Sequence, residues 1–364
     1  MIRLIRALVD SAALRHNLGT IRAYAPGAKV MAVVKANAYG HGLVATALAL
    51  ADADSFAVAR LEEGLALRSA GVRAPIVLLE GVFSAEQLAE AAQQRFELVV
   101  HDPLQLKLLE AHRGAEQFVI WIKMDTGMNR LGFRPEAFAD ALGRLRALQV
   151  PPLELRVMTH LARADERTEA MTTEQVTTFE RTLAQAEPAG RRRLATSIGN
   201  SAGTLGWPRA HGDWVRPGLA LYGVSPFQGE TAEKHGLKPA MALETTVLTV
   251  RDVKRGESVG YAAAWRAGRD SSIAILAAGY GDGLPRHLNN GTPVLIAGMR
   301  YPLVGRVSMD MIAVDVTGGP KITTGNRAVI WGAGLPVEEI AVHAQTIPYE
   351  LLCGVSQRVP IELK

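Results

Sequence analysis

The chain has 364 residues, 48% of them apolar and 21% charged, which excludes a disordered or fibrous protein and, at about 150 residues per domain, implies roughly two domains. Forty Lys and Arg against 36 Asp and Glu leave a formal charge of only +4, and no dense basic run with interleaved aromatics reads as a nucleic-acid stripe; an acidic small substrate or a phosphate-bearing cofactor suits the balance better. Cys353 is the one cysteine, residues 1–10 lack an apolar core of signal-peptide length, and no stretch approaches about 18 uninterrupted apolar residues, so a cytoplasmic protein without disulfides or a membrane partner is expected.

Residues 4–9 read as a strand placed before the first helix, free to pair outside the barrel-like region. From there to about residue 216, short β-branched apolar runs alternate with helical-period segments. The strand candidates are 30–34, 55–59, 75–79, 97–101, 118–123, 154–159, 194–198 and 213–216. Segments such as 61–69, 84–94 and 172–187 carry apolar residues at helical spacing. About eight βα units in some 220 residues match the size of a (β/α)8 TIM barrel, with a doubly wound open sheet as the alternative. A polar stretch at 228–239, with Gly229, Gly236 and Pro239, reads as a link. Beyond it, Val/Thr/Ile runs broken by Gly, Pro and Asp predict a mainly β C-terminal domain in which only 337–344 reads as a helix. The expected fold class is thus α/β, a barrel over 10–235 followed by a β domain over 236–364, with residues 1–9 free to join the latter.

In such a barrel, chemistry sits where the strands end. The first run ends in Val34-Lys35-Ala36-Asn37-Ala38-Tyr39-Gly40-His41, the fifth in Lys123-Met124-Asp125-Thr126-Gly127-Met128-Asn129-Arg130, the sixth in Thr159-His160. The seventh leads to Gly199-Asn200-Ser201-Ala202-Gly203 and the eighth to Arg216-Pro217-Gly218. Singly, each has a bland reading: a strand-end lysine is usually solvated, a lone histidine is usually structural, and Asn-Ser-Ala-Gly is a plain helix cap. Together they bring two Lys, two Arg, a His and two Gly-containing anion nests to one mouth. Backbone N–H groups near Ser201 and Gly203, and near Gly218 and Leu219, can cradle a phosphate. A lysine crowded by other cations favours its neutral amine, which can form a Schiff base. Phosphate plus an activated lysine suggests pyridoxal 5'-phosphate; no metal is expected.

The blocks AVVKANAYGHG at 32–42, KMDTGMNRLGF at 123–133, THLARADE at 159–166, SIGNSAGT at 197–204, VRPGLALYGVSP at 215–226, VGYAAAW at 259–265, AAGYGDGLPR at 277–286, VGRVSMDMIAVDV at 304–316 and TIPYELLCGVSQRVP at 346–360 resemble bacterial alanine racemases, from about residue 10 to about residue 360. The resemblance implies a pyridoxal-phosphate barrel and a β domain, paired head to tail in a homodimer with shared active sites, and interconversion of L- and D-alanine.

Carried over, Lys35 resembles the lysine that holds the cofactor and acts as one racemising base. Tyr261 resembles the opposing base, reaching in from the partner subunit. Inversion needs a proton removed from one face of Cα and delivered to the other, so two bases suit it. A free phenol, with a pKa of about 10, needs cationic neighbours to act as a base at neutral pH, and His160 and Arg216 are the candidates. Arg216 resembles the arginine facing the pyridine nitrogen, where a permanent cation disfavours ring protonation. His160 would orient Arg216 and Tyr261. Tyr39, Asn200, Ser201, Gly218, Leu219 and Tyr349 match cofactor-binding positions; Arg130 and the Met309 N–H match those for the substrate carboxylate. Lys123 matches a lysine that is often carbamylated and that positions Arg130. Tyr280 and Asp310 resemble entrance groups. Ile361 stands where a second basic residue is usual.

The rival activities share the fold type. An amino-acid decarboxylase would use a Cys/Asp motif in its β domain and not an arginine at position 216. A non-catalytic pyridoxal-phosphate carrier would lack the β domain and Tyr261. A periplasmic broad-specificity racemase would carry an export signal and paired cysteines.

Overall fold

The computed structural model describes residues 4–168, 170–187 and 193–364, so the first part of the 1–9 segment lies outside the described residues. The chain opens with β1 (Ile5–Val9), followed by helix Ser11–Tyr24, which Asp10 caps by accepting the N–H groups of Ala12 and Ala13 at 2.8 and 3.0 Å. Eight parallel strands come next: β2 (Lys29–Val33), β3 (Ser55–Val58), β4 (Ile76–Leu78), β5 (Glu97–Val100), β6 (Val119–Lys123), β7 (Glu154–Met158), β8 (Ala195–Ser197) and β9 (Trp214–Val215). Most are buried on both faces, which is why they read as continuous apolar runs and not as alternation.

The barrel closes where β9 pairs with β2, Lys29 opposite Trp214 and Val30 opposite Val215. Closure removes the open doubly wound alternative: an open sheet would leave β2 or β9 as an edge. The last strands are short because Gly212 and Asp213 turn tightly against Thr196, whose N–H and hydroxyl both bond Asp213 at 2.7 and 2.9 Å.

The second sheet is mainly antiparallel. It runs β13 (Ser271–Leu276), β16 (Ile312–Asp315), β15 (Met299–Val304), β14 (Pro293–Ile296), β17 (Arg327–Trp331), β10 (Met241–Val253), β1 and β18 (Ile361–Leu363). The long strand β10 carries an irregularity between Val247 and Thr249 and pairs with β17 before it and β13 after it, so the run from β13 to β10 closes on itself. Strand β1 lies between β10 and β18, antiparallel to the first and parallel to the second. Arg6 ties this seam by pairing with Glu244 at 2.9 Å and Glu362 at 3.1 Å. Ile361, the residue that departs from the family pattern, sits opposite Ala7 in this seam. A short ribbon of β11 (Ser258–Val259) and β12 (Trp265–Arg266) stands apart from the main sheet.

One expectation needs correction. Besides helix Val337–His343, the C-terminal part holds a second helix, Pro348–Gly354, started by proline at its first turn. Its seven residues are too few for a helical period to stand out from an apolar tail.

Candidate active site

Lys35 stands just beyond the end of β2 and opens a turn that is not a normal helix. Ala36, Asn37, Ala38 and Tyr39 all take left-handed conformations, with φ of 54, 53, 53 and 52°. Each such residue costs roughly 1–2 kcal/mol relative to the right-handed form, so the turn stands only because its surroundings hold it. Glu63 binds the Ala36 N–H at 2.7 Å, Asn37 Oδ1 accepts the Leu43 N–H at 2.9 Å, and Tyr222 donates its hydroxyl to the Val33 carbonyl at 2.9 Å. Helix Pro348–Gly354 packs on the far side so closely that a Cβ at Gly40 would lie 2.0 Å from the Leu352 carbonyl oxygen. The unforeseen helix therefore buttresses the lysine-bearing turn. It also brings Cys353 near Lys35; burial pushes the Cys353 thiol up and the lysine charge opposes this.

The phosphate-binding candidates converge. Tyr39 stacks on Tyr222 with centroids 4.9 Å apart and tilts against Tyr349 at 5.8 Å. Its hydroxyl faces Gly218, where a Cβ would approach it to 2.4 Å. Ser201 Oγ accepts the N–H groups of Gly218 and Ala220 at 2.9 and 3.2 Å, which leaves its own hydrogen free to donate outward. Asn200 caps the helix behind it through the Gly203 N–H at 2.9 Å, and Leu219 comes directly after Gly218. Burial pushes the Tyr39 phenol up, and the Tyr349 phenol up to about 12, so both stay protonated as hydrogen-bond donors. Two phenols and a hydroxyl, with no Cβ at Gly218 to crowd them, make a donor set that fits a phosphate dianion. Gly218→Ala should push the Tyr39 hydroxyl aside and weaken cofactor binding by roughly 10- to 100-fold, the loss of one charge-assisted hydrogen bond. Titration of the cofactor by its absorbance checks this, and unchanged affinity would mean that Tyr39 is not a phosphate ligand.

Arg216, at the end of β9, is only 5% exposed, and its guanidinium binds neutral oxygens alone: Ser197 Oγ at 2.6 Å, the Ile198 carbonyl at 3.2 Å and the Thr159 carbonyl. Burial lowers its pKa to about 10, which still leaves it charged at neutral pH. Among the described residues no carboxylate pairs with it. A buried cation without a counter-ion is costly, and an anionic ligand would relieve it.

Lys123, closing β6, is buried beside it. Desolvation, then Arg216, Arg130 and Lys35, lower its pKa to about 7. Lys123, Asp125, Arg130, Thr159 and His160, among others, line a narrow recess here. Arg130 is exposed on a loop whose Asp125 accepts the Gly127 and Asn129 N–H groups, both at 3.0 Å.

His160 differs from expectation. Its ring makes no hydrogen bond to Arg216, which Ser197 and the two carbonyls hold instead. Burial and the charges of Arg216, Lys123, Arg130 and Lys35 also push its pKa well below the ordinary range, so it is neutral and lends no positive charge to a nearby phenol. That leaves Arg216 as the cation of the pair first considered.

The remaining candidates lie in the second sheet. Tyr261 is 65% exposed on the ribbon, held out by positive φ at Gly260, Ala262 and Ala263. Tyr280 and Met309 are together, since the Tyr280 and Gly281 N–H groups bond the Ser308 and Met309 carbonyls at 2.9 and 2.8 Å. Arg358 ties Asp310 at 2.6 Å to Asp282 at 3.1 Å. Among the described residues no hydrogen bond or ring contact joins Tyr261, Tyr280, Met309 or Asp310 to the barrel-mouth cluster of the same chain. No group of three or more His, Cys, Asp or Glu that could hold a metal occurs among the described residues, and no helix there is long and apolar enough to cross a membrane.

Comparison with known proteins places this arrangement. Residues 9–226 match the family model for the alanine racemase N-terminal domain, and residues 240–363 the model for the C-terminal domain. The chain belongs to the alanine racemase family. It is 50% identical over 355 residues to an alanine racemase of Nitrosococcus oceani and 47% identical over 356 residues to one of Shewanella sediminis, with 98% of each chain covered in both cases. Among solved structures it superimposes on the biosynthetic alanine racemase of Pseudomonas aeruginosa with a TM-score of 0.95 at 43% identity, both chains fully covered. For the alanine racemase of Acinetobacter baumannii the values are 0.94 and 36%, again with full coverage. Membership of this family makes the chain an isomerase, an amino-acid racemase.

Proposed function

We propose that the chain interconverts L- and D-alanine with pyridoxal 5'-phosphate as cofactor, as a homodimer whose active sites are shared, in the cytoplasm, supplying D-alanine for peptidoglycan or serving alanine catabolism. The observation that carries the reading is the convergence of Lys35, uncompensated Arg216 and the phenol-lined Gly218 cradle on one barrel mouth. In this reading the barrel spans 10–235 and the β domain 236–364, with 1–9 joining the latter.

Tyr39, Asn200, Ser201, Gly218, Leu219 and Tyr349 hold the phosphate, and Lys35 anchors the cofactor. When bound, pyridoxal phosphate supplies an electron-withdrawing ring that acidifies the substrate Cα–H bond. Arg216 faces the ring nitrogen, and as a permanent cation it keeps a proton off that nitrogen. Arg130 and the Met309 N–H of the partner subunit fix the substrate carboxylate. Lys35 Nζ takes or delivers the Cα proton on one face, and Tyr261 Oη of the partner subunit does so on the other. His160, neutral, positions its neighbours without carrying charge.

The exposed ribbon supports the sharing of the site. A base that is exposed and, among the described residues, makes no hydrogen bond or ring contact with the barrel mouth of its own chain acts only if a second copy receives it. Tyr280 and Asp310 stand beside Met309 and line the entrance on the same face.

Lys123 carries a carbamate. With its pKa lowered to about 7, much of its amine is neutral at physiological pH. That amine attacks carbon dioxide, forming an N–C bond and releasing one N–H proton to water. The resulting carboxylate turns a repulsion between Lys123 and Arg130 into a charge-assisted bond, worth roughly 1.5–3 kcal/mol. Removing dissolved carbon dioxide should therefore lower kcat/KM by roughly 10- to 100-fold, and added bicarbonate should restore it. Below about pH 7 the amine protonates and the carbamate is lost, so the bicarbonate effect should fade as the pH falls. Indifference to carbon dioxide at pH 8 would rule the carbamate out.

The function itself is tested by incubation with L-alanine beside L-serine, L-lysine and L-arginine, using stereospecific detection of each D-enantiomer and recording carbon dioxide release. D-alanine without gas is the expected result. Carbon dioxide without D-product would make the chain a decarboxylase.

A further inference from the structure

Gln175 lies on helix Ala170–Ala186, away from the loops that carry the site, and is 1% exposed. Its amide makes three bonds at the barrel mouth. Nε2 donates to the His160 carbonyl at 3.0 Å and to Thr126 Oγ1 at 3.2 Å, while Oε1 accepts the Ala162 N–H at 2.9 Å. Both amide hydrogens are then used, and Thr126, as acceptor from Gln175, has its own hydrogen left to give. Thr159 Oγ1 lies 2.8 Å away, within reach for either hydroxyl to donate to the other, and both threonines are buried. The Thr159 carbonyl in turn accepts from Arg216 Nη2. One side chain thus joins the loop after β6, the end of β7 and the segment 160–162, in a relay that ends on the residue holding the guanidinium.

We propose that Gln175 is a positioning residue that, through Thr126 and Thr159, sets the orientation of Arg216 and of the segment 159–162. The proposal rests on the reading that Arg216 faces the cofactor ring. Only an amide does this work: Glu at 175 would set an acceptor against the His160 carbonyl, and an apolar residue would leave the His160 carbonyl and the Ala162 N–H without this partner and Thr126 with Thr159 alone.

The test uses holoenzyme carrying Gln175→Met, which keeps length and bulk but removes all three bonds, beside Thr126→Val, which removes the Thr126 hydroxyl with its bonds to Gln175 and Thr159 but keeps those of Gln175 to residues 160 and 162. Three quantities are read: the absorbance spectrum of bound cofactor without substrate, kcat and KM separately, and amide hydrogen exchange over residues 159–164. For Gln175→Met we expect retained cofactor with a shifted band, kcat lower by roughly tenfold with KM little changed, and faster exchange at Ala162. Thr126→Val should show the band shift and a smaller loss of kcat with Ala162 still protected, and it decides the matter if Gln175→Met does not fold. An unchanged spectrum and kcat in Thr126→Val would overturn the proposal. Failure of the wild type to racemise alanine would instead overturn the assigned activity, which the substrate-free spectrum does not depend on.

Discussion

Tyr261→Phe is expected to lower kcat for alanine racemisation by about 100- to 10,000-fold, the usual contribution of one general acid–base group, while the protein keeps its cofactor and its fold. The side chain is exposed on a ribbon and packs against nothing whose loss would unfold the chain, so the effect should be chemical and not structural. Phenylalanine keeps the ring and removes only the oxygen that exchanges the proton. Lys35 remains on its own face, so solvent deuterium should still enter one enantiomer of alanine without inversion. The stereospecific assay, with cofactor content read by absorbance, checks both halves. Racemisation above a tenth of the wild-type rate would reject the two-base assignment.

The second large effect lies at the opposite end of the barrel. Glu97 is buried at the start of β5 and accepts the Trp121 indole N–H at 2.7 Å and Arg156 Nη1 at 3.2 Å. The Arg156 guanidinium lies 5.1 Å from the ring centroids of both Trp121 and Trp214, which meet edge to face at 5.8 Å. Two carboxylates thereby neutralise the cation that plugs the barrel floor, because the more exposed Glu154 also binds Arg156 Nη2, at 2.5 Å. Glu97→Ala would leave Arg156 with Glu154 alone and the buried indole N–H unpaired, a loss of about 1–3 kcal/mol. Denaturant unfolding should show the midpoint fall with an unchanged slope, while kcat of the folded fraction stays near wild type, because the plug is remote from the mouth. A loss below about 1 kcal/mol would mean that water enters the floor and solvates the guanidinium.

The architecture was legible because its signals are repetitive. Every barrel strand lies within or beside an apolar run, and the change of texture after about residue 239 marked the second sheet. The shared mouth was legible too, since Lys35, Lys123, His160, Asn200 and Arg216 all close or come just after such runs. The lysine turn was not: Ala36, Asn37, Ala38 and Tyr39 have no glycine to announce left-handed backbone, and only Glu63, Tyr222 and helix Pro348–Gly354, all distant in sequence, impose it. Gln175 was invisible for a related reason, because a glutamine on a helix reads as a solvated face until the loops it bonds are in place. The lowering of the His160 pKa was not legible either, since burial and surrounding cations act through space.

The central claim is that each active site takes Lys35 from one subunit and Tyr261 from the other. Lys35→Ala and Tyr261→Phe chains, differently tagged and co-expressed so that mixed dimers can be purified, test it most directly. Each homodimer should be nearly inactive. In the mixed dimer one site lacks both groups and the other has both intact, so about half the wild-type activity per dimer should return. A mixed dimer as inactive as either parent would contradict the account, because it would place both bases within one chain.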